Sequence, residues 1–176
     1  MTDEKIEIIY KTEEIENFRR DILAGNLCDI FLPVSFIEAD GRIGAVYDTQ
    51  GYTRFTDLKE TKASTLIGAV TSLIEKSRQA ERRYFFIGEY SLDTSLLFVN
   101  EKIPDAALIY RKTNQCAKAV TQEELKRVLS PENGIKIKGE DFVRKAMFIL
   151  SDHSKSYDVI LHDLMAVGTE AFRAEC

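Results

Sequence analysis

The chain has 176 residues, of which 44% are hydrophobic and 30% charged, enough apolar material for the core of one globular domain. A formal charge of -5, an isoelectric point near 5.2 and the lack of any basic stripe argue against a nucleic-acid or anionic-membrane surface. Three scattered cysteines, Cys28, Cys116 and Cys176, read as reduced thiols rather than a disulfide framework. The acidic opening MTDEKIEIIYK lacks the basic flank and apolar stretch of a signal peptide, and no apolar run reaches the ~20 residues a bilayer span needs. The expected location is cytoplasmic.

Residues 6–10 alternate around Glu7 as a short strand, and Thr12 is the N-cap expected for a helix carrying Ile15, Phe18, Ile22 and Leu23 that ends near Gly25-Asn26. Residues 31–39 and 42–47 flank Asp40-Gly41, the strongest hairpin signal in the chain. A long helix is predicted over residues 61–83, with Leu66, Ile67, Val70, Leu73 and Ile74 on one buried face and Lys62, Glu75, Lys76, Arg78 and Gln79 on the rest of its circumference. Residues 84–111 combine a polar loop with two apolar runs that read as a second hairpin. After a loop with Asn114 and Cys116, Thr121-Gln122-Glu123-Glu124 reads as a capping box opening a helix to Leu129, which residues 130–134 (SPENG) terminate. Two more helices follow: residues 140–150, with Phe142, Val143, Ala146 and Ile149 inward, and 157–172, with Ile160, Leu161, Leu164 and Gly168 inward. The expected architecture is α+β, with the two hairpins on opposite sides of the long helix and a helical C-terminal part.

The order of these elements is that of a protein kinase entered late, at its third strand. FLPVSFIEADGRIGAVYD (residues 31–48), the long helix and RRYFFIGEYSLDTSLLFVNEKIPDAALIYR (residues 82–111) resemble the N-terminal cytoplasmic domain of the YukC/EssB proteins of type VII secretion. They also resemble the related domains of unknown function that precede forkhead-associated domains in Gram-positive bacteria. The resemblance covers residues 30–112 and extends to the ends only in pattern. Asp93-Thr94-Ser95 replaces the Pro-Glu-Asn-like run those families carry before the Leu96 strand.

The resemblance implies a single domain over 1–176 with a reduced, protein-kinase-like (pseudokinase) fold, residues 1–58 forming an N-lobe-like part and 59–176 a C-lobe-like part. It also implies no phosphoryl transfer, and the residues agree. Too few residues precede the first helix for a Gly-rich phosphate loop, and the first fifty residues hold only Gly25, Gly41 and Gly44. No His-Arg-Asp precedes the Leu96 strand. Ser95 stands at the metal-binding Asn position, and Tyr110-Arg111 stands where Asp-Phe-Gly would begin. Lys11 and Glu14 could pair as the kinase Lys and Glu do, but at a strand end and helix start they read as surface charge. No cofactor is expected.

His153 and His162, beside Asp152 and Asp163, lack metal-ligand spacing. Nothing near Cys28 or Cys116 in sequence would lower a thiol pKa. Arg82-Arg83 before Tyr84-Phe85-Phe86 reads as a charged helix end followed by a core strand, with a recognition patch as the alternative. The expected function is a non-catalytic interaction module in a membrane-associated secretion or signalling assembly, binding partner proteins and, as a further option, a second copy of itself as a homodimer. The alternative is a small-molecule or nucleotide-binding domain with altered chemistry. The YukC-like proteins continue into a transmembrane helix, whereas this sequence ends at Cys176, so it is either an excised domain or a stand-alone relative. The expected partner groove lies between the strand of residues 42–47 with its following turn and the loop of residues 89–95, lined by Tyr47, Tyr52, Arg54, Tyr90 and Asp93. The competing possibility is that Tyr47 and Tyr90 simply pack in the core.

Overall fold

The computed structural model describes residues 5–113 and 118–176. The strand β1 (Lys5–Lys11) alternates as expected, with Ile6, Ile8 and Tyr10 turned inward. A 3-10 turn at Thr12–Glu14 follows, and α1 begins only at Asn17, running to Ala24. Thr12 therefore does not cap α1. The backbone N–H of Lys11 donates to the Glu14 carboxylate at 2.7 Å, so Glu14 closes this turn instead of pairing with the Lys11 ammonium. Ile15 and Leu23 are buried, but Phe18 stays about half exposed because its face of α1 looks outward.

The hairpin forms where the sequence placed it, with β2 (Val34–Ala39) and β3 (Arg42–Asp48) antiparallel. Asp40 and Gly41 take φ of 52° and 72°, the left-handed pair that a two-residue primed turn demands. β1 pairs with the other side of β3, giving a three-stranded sheet of order β1-β3-β2. Phe31 is not part of β2; it forms a parallel bridge with Leu108.

Short strands β4 (Thr53–Arg54) and β5 (Glu60–Lys62) lead into α2 (Ala63–Glu81). Thr61, predicted as helical, lies in β5. Burial on α2 is wider than one stripe: Ser64, Thr65, Ser72 and Ser77 are covered along with the predicted aliphatic residues. The reason is that the helix is packed on several sides, by α4 and α5 as well as by the second hairpin.

That hairpin is β6 (Leu97–Asn100) with β7 (Asp105–Leu108), extended by β4 into a sheet of order β4-β6-β7. The predicted placement of the two hairpins on opposite sides of α2 needs correcting. β7 packs on α2, whereas β2 packs on α1 and neither β2 nor β3 packs closely on α2; the segments flanking that hairpin tie it to the β7 end. Leu32 N–H donates to Leu108 O at 2.9 Å, Leu108 N–H to Ile30 O at 2.8 Å, and the Tyr10 hydroxyl to Tyr110 O at 2.6 Å.

The predicted loop with Asn114 and Cys116 lies outside the described residues. α3 spans Lys118–Val128, so Thr121 opens no helix but sits one turn inside one. Gln122 is fully buried because it has a tertiary use: its amide donates to Leu150 O at 3.1 Å and Asp152 O at 3.2 Å. Pro131–Asn133 and Gly134, at φ 70°, turn the chain into β8 (Lys136–Lys138), which runs parallel to β5. α4 (Glu140–Leu150) buries Val143, Ala146 and Leu150, leaving the predicted Phe142 and Ile149 half-buried. α5 (Tyr157–Glu175) lies along α2, and at its C-terminal end Glu175 accepts the Ser64 N–H at 3.1 Å, satisfying a free donor of the first turn of α2. The fold is thus α+β, as expected, and no helix among the described residues is long and apolar enough to cross a membrane.

Candidate functional site

Two polar constellations stand out within this frame, and neither is legible in the local pattern. The first is a cleft of 340 Å³ between residues 26–33, α2 and β7, with Tyr52, Lys76 and Asp105 in its wall. Ser72 and Lys76 lie four apart on α2, so they share a face and both reach the start of β7. Asp105 is the convergence point. It accepts from the Tyr52 hydroxyl at 2.7 Å, from Lys76 Nζ at 2.7 Å and from the Ser72 hydroxyl, while Lys76 also donates to Ala106 O at 2.9 Å. Burial pushes the Asp105 carboxyl up, but the donors from Lys76, Ser72 and Tyr52 outweigh it and hold it below the ordinary Asp value. The Tyr52 hydroxyl moves the other way, raised by burial and by donating to a carboxylate.

Cys28 is on the wall of the same cleft, buried, with its thiol pushed up to about 11 by desolvation. It is therefore protonated at neutral pH and a poor nucleophile. Asp105 is ionised and committed to three donors, while Asp29 adds a second carboxylate to the lining, so the cleft holds hydrogen-bonding and charged groups for a small polar guest.

The second constellation joins the β1-β3-β2 sheet to the β7 end. The hydroxyls of Tyr10 and Tyr47 stand 2.7 Å apart, and Tyr10 donates to the carbonyl of Tyr110. Arg19 of α1, 7% exposed, fans across this junction: Nη1 donates to the Tyr110 hydroxyl at 3.2 Å and Nη2 to Glu89 at 2.7 Å and to Tyr84 O at 3.2 Å. Its guanidinium also lies 5.2 Å from the Phe85 ring centre. Phe85 and Tyr110 in turn pack with Phe31 and Tyr90 in a cluster of tilted and edge-on rings. Burial raises the Tyr10 pKa to about 12 and that of Tyr47 further, so both stay neutral hydroxyls.

No protein-family model matches the chain, and no curated protein matches its sequence. The reading of the site rests on its own residues.

Of the five predicted contacts, Tyr47 and Tyr90 are fully buried and belong to the core, because the inward face of β3 and the aromatic cluster claim them. They line no groove. Tyr52 lines the Lys76 cleft, Arg54 lies over the Phe98 ring with its guanidinium 5.7 Å from the centre, and Asp93 is exposed but accepts the Ser95 N–H at 2.7 Å. Hydrogen bonding from the Ser95 hydroxyl and, second to it, from the Ser95 N–H lowers the Asp93 pKa and makes the residue a turn cap. The site residues missed from sequence are Lys76, Asp105 and Arg19. Periodicity puts Lys76 on the circumference of α2 outside its buried face, whereas the structure turns it to Asp105; the i, i+4 spacing of Ser72 and Lys76 is the available signal, and nothing in the sequence pairs it with Asp105.

His153 Nδ1 stands 3.2 Å from the Gln122 side-chain oxygen at the end of α4, and His162 is exposed on α5, so the two histidines hold separate positions. Arg82 and Arg83 follow the end of α2 as expected, but no core strand succeeds them: Phe85 is buried, whereas Tyr84 and Phe86 are 65% and 45% exposed.

Proposed function

We propose that the chain is a non-catalytic, kinase-like interaction module, a cytoplasmic component of a membrane-associated secretion or signalling assembly. One observation carries the loss of catalysis. Tyr110, which the resemblance puts at the magnesium-binding Asp of a kinase, is a buried ring whose hydroxyl accepts from Arg19 and whose carbonyl accepts from Tyr10. A carboxylate there would leave the Arg19 side of the core unfilled, and a neutral phenol offers no charge to a metal–triphosphate.

Two further observations support the reading. Ser95, at the metal-binding Asn position, sits in a 3-10 turn capped by Asp93. Glu14 is spent on the Lys11 backbone rather than on a lysine ammonium that could hold phosphates. The partners in this reading are proteins of the assembly, together with a second copy of the chain.

The Tyr52–Lys76–Asp105 cleft favours a second reading, a small-molecule site with altered chemistry. One lysine already paired with one aspartate cannot balance a triphosphate, so its guest would be small and polar. Calorimetry with ATP, with and without magnesium, tests the main reading. No magnesium-dependent heat at micromolar affinity is expected, and a clear one would sink it.

A further inference from the structure

The β1-β3-β2 sheet departs from the rule that an open antiparallel face is polar. Tyr10, Ile43, Ala45 and Tyr47 point into the core, yet the opposite face carries Ile9 and Ile37, which are 61% and 65% exposed. Both pair with Gly44, so two isoleucines stand on either side of a position with no side chain. They wall a groove of 490 Å³. A Cβ on Gly44 would meet only Ile37 O at 3.6 Å and Glu7 Oε1 at 3.9 Å, and its φ is not left-handed, so nothing within the chain requires glycine there.

Charge flanks this row with opposite signs. One pleat repeat toward one end of β1 is Glu7, opposite Val46; one repeat toward the other end is Lys11, opposite Arg42. Among the described residues, no ion pair within the chain engages Glu7, Lys11 or Arg42.

We propose that this face is the contact between two copies of the chain, stacked about a two-fold axis that runs across the strands along Ile9, Gly44 and Ile37. Such an axis lays apolar row on apolar row and reverses the strand direction of the partner. Each Glu7 then faces the partner's Lys11, twice per dimer. Sheets stack about 10 Å apart, within reach of an isoleucine layer and a Glu–Lys bridge. A second copy supplies this match by symmetry, whereas any other partner would have to reproduce it. The rim acids Asp40 and Asp48 remain in solvent, where screening weakens their repulsion. The proposal deepens one part of the proposed function, self-association, and does not depend on the lost chemistry.

Sedimentation velocity on the whole chain, from low to high micromolar concentration, tests it. A concentration-dependent monomer–dimer equilibrium is expected. Ile9→Ser and Ile37→Ser, both at exposed positions, should each weaken it about tenfold or more at unchanged melting temperature. Glu7→Lys should weaken it as well, and adding Lys11→Glu should restore it, because the reversed pair faces itself again across the axis. A chain that stays monomeric throughout overturns the proposal, as does association indifferent to the two serine variants or a double reversal that fails to restore it. Heat from ATP and magnesium would remove the non-catalytic reading and leave this dimer standing; a strict monomer would do the reverse.

Discussion

Lys76 in the middle of α2 and Asp105 at the first position of β7 form an ion pair at 2.7 Å with side chains only 17% and 26% exposed, tying the central helix to the second hairpin. Ser72 and Tyr52 complete the carboxylate's shell, so one aspartate links α2, β7 and the segment just before β4.

Asp105→Ala should therefore destabilise the chain by about 1–3 kcal/mol, since it strips a partner from a largely buried lysine and from two hydroxyls. Urea unfolding at neutral pH measures it. The pH dependence follows from the lowered carboxyl of Asp105. A group whose pKa is depressed on folding adds stability that is fully present above its unfolded value, about 3.9, and is lost as pH falls through the folded value. Asp105→Asn should flatten the acid limb of the stability curve, and an unchanged limb would show that other carboxylates dominate it.

At Gly68, on the face of α2 toward the β6–β7 turn, a Cβ would stand 2.3 Å from the Pro104 Cβ. The proline ring cannot rotate away. Gly68→Ala gains up to about 1 kcal/mol of helix propensity but forces an overpacking strain of about 1–3 kcal/mol. A net loss is expected in thermal melts, and a stabilised variant would mean that the turn yields easily.

Tyr47 and Tyr90 are core residues in this fold, and truncating either to Ala should cost about 3–5 kcal/mol, the range for large aromatic deletions. Arg54→Ala should leave the melting temperature nearly unchanged, because its guanidinium stacking on Phe98 is partly exposed. Melts of the three variants side by side check this, and equal effects would refute the division between core and surface.

Cys28 and Cys176 should differ in reactivity. Cys176 is exposed, while Cys28 is buried with its thiol raised to about 11. Brief iodoacetamide treatment of the folded chain near pH 8, followed by peptide mass mapping, should find Cys176 alkylated and Cys28 protected until denaturant is added. Early labelling of Cys28 would mean that the cleft wall opens readily.

What the sequence determined by itself is local. Asp40-Gly41 specifies a primed turn because those two residues tolerate left-handed φ, and the hairpin follows whatever surrounds it. The apolar runs of α2, β6 and β7 likewise set element type and order, since periods of 3.6 and 2 are properties of a short stretch. What only the tertiary structure decided is which surfaces meet. Lys76 reads as solvent-facing until β7 brings Asp105 beside it, and Tyr47 and Tyr90 read as groove residues until Tyr10 and the Phe31–Phe85 cluster enclose them. Thr121-Gln122 reads as a cap until the end of α4 offers Gln122 two carbonyls. Periodicity gives a strand or helix its faces but not their partners, because burial and pairing depend on residues tens of positions away in the chain. Ile9 and Ile37 are the reverse case: the strands that carry them were legible, but only the β1-β3-β2 register put both on the open face, either side of Gly44.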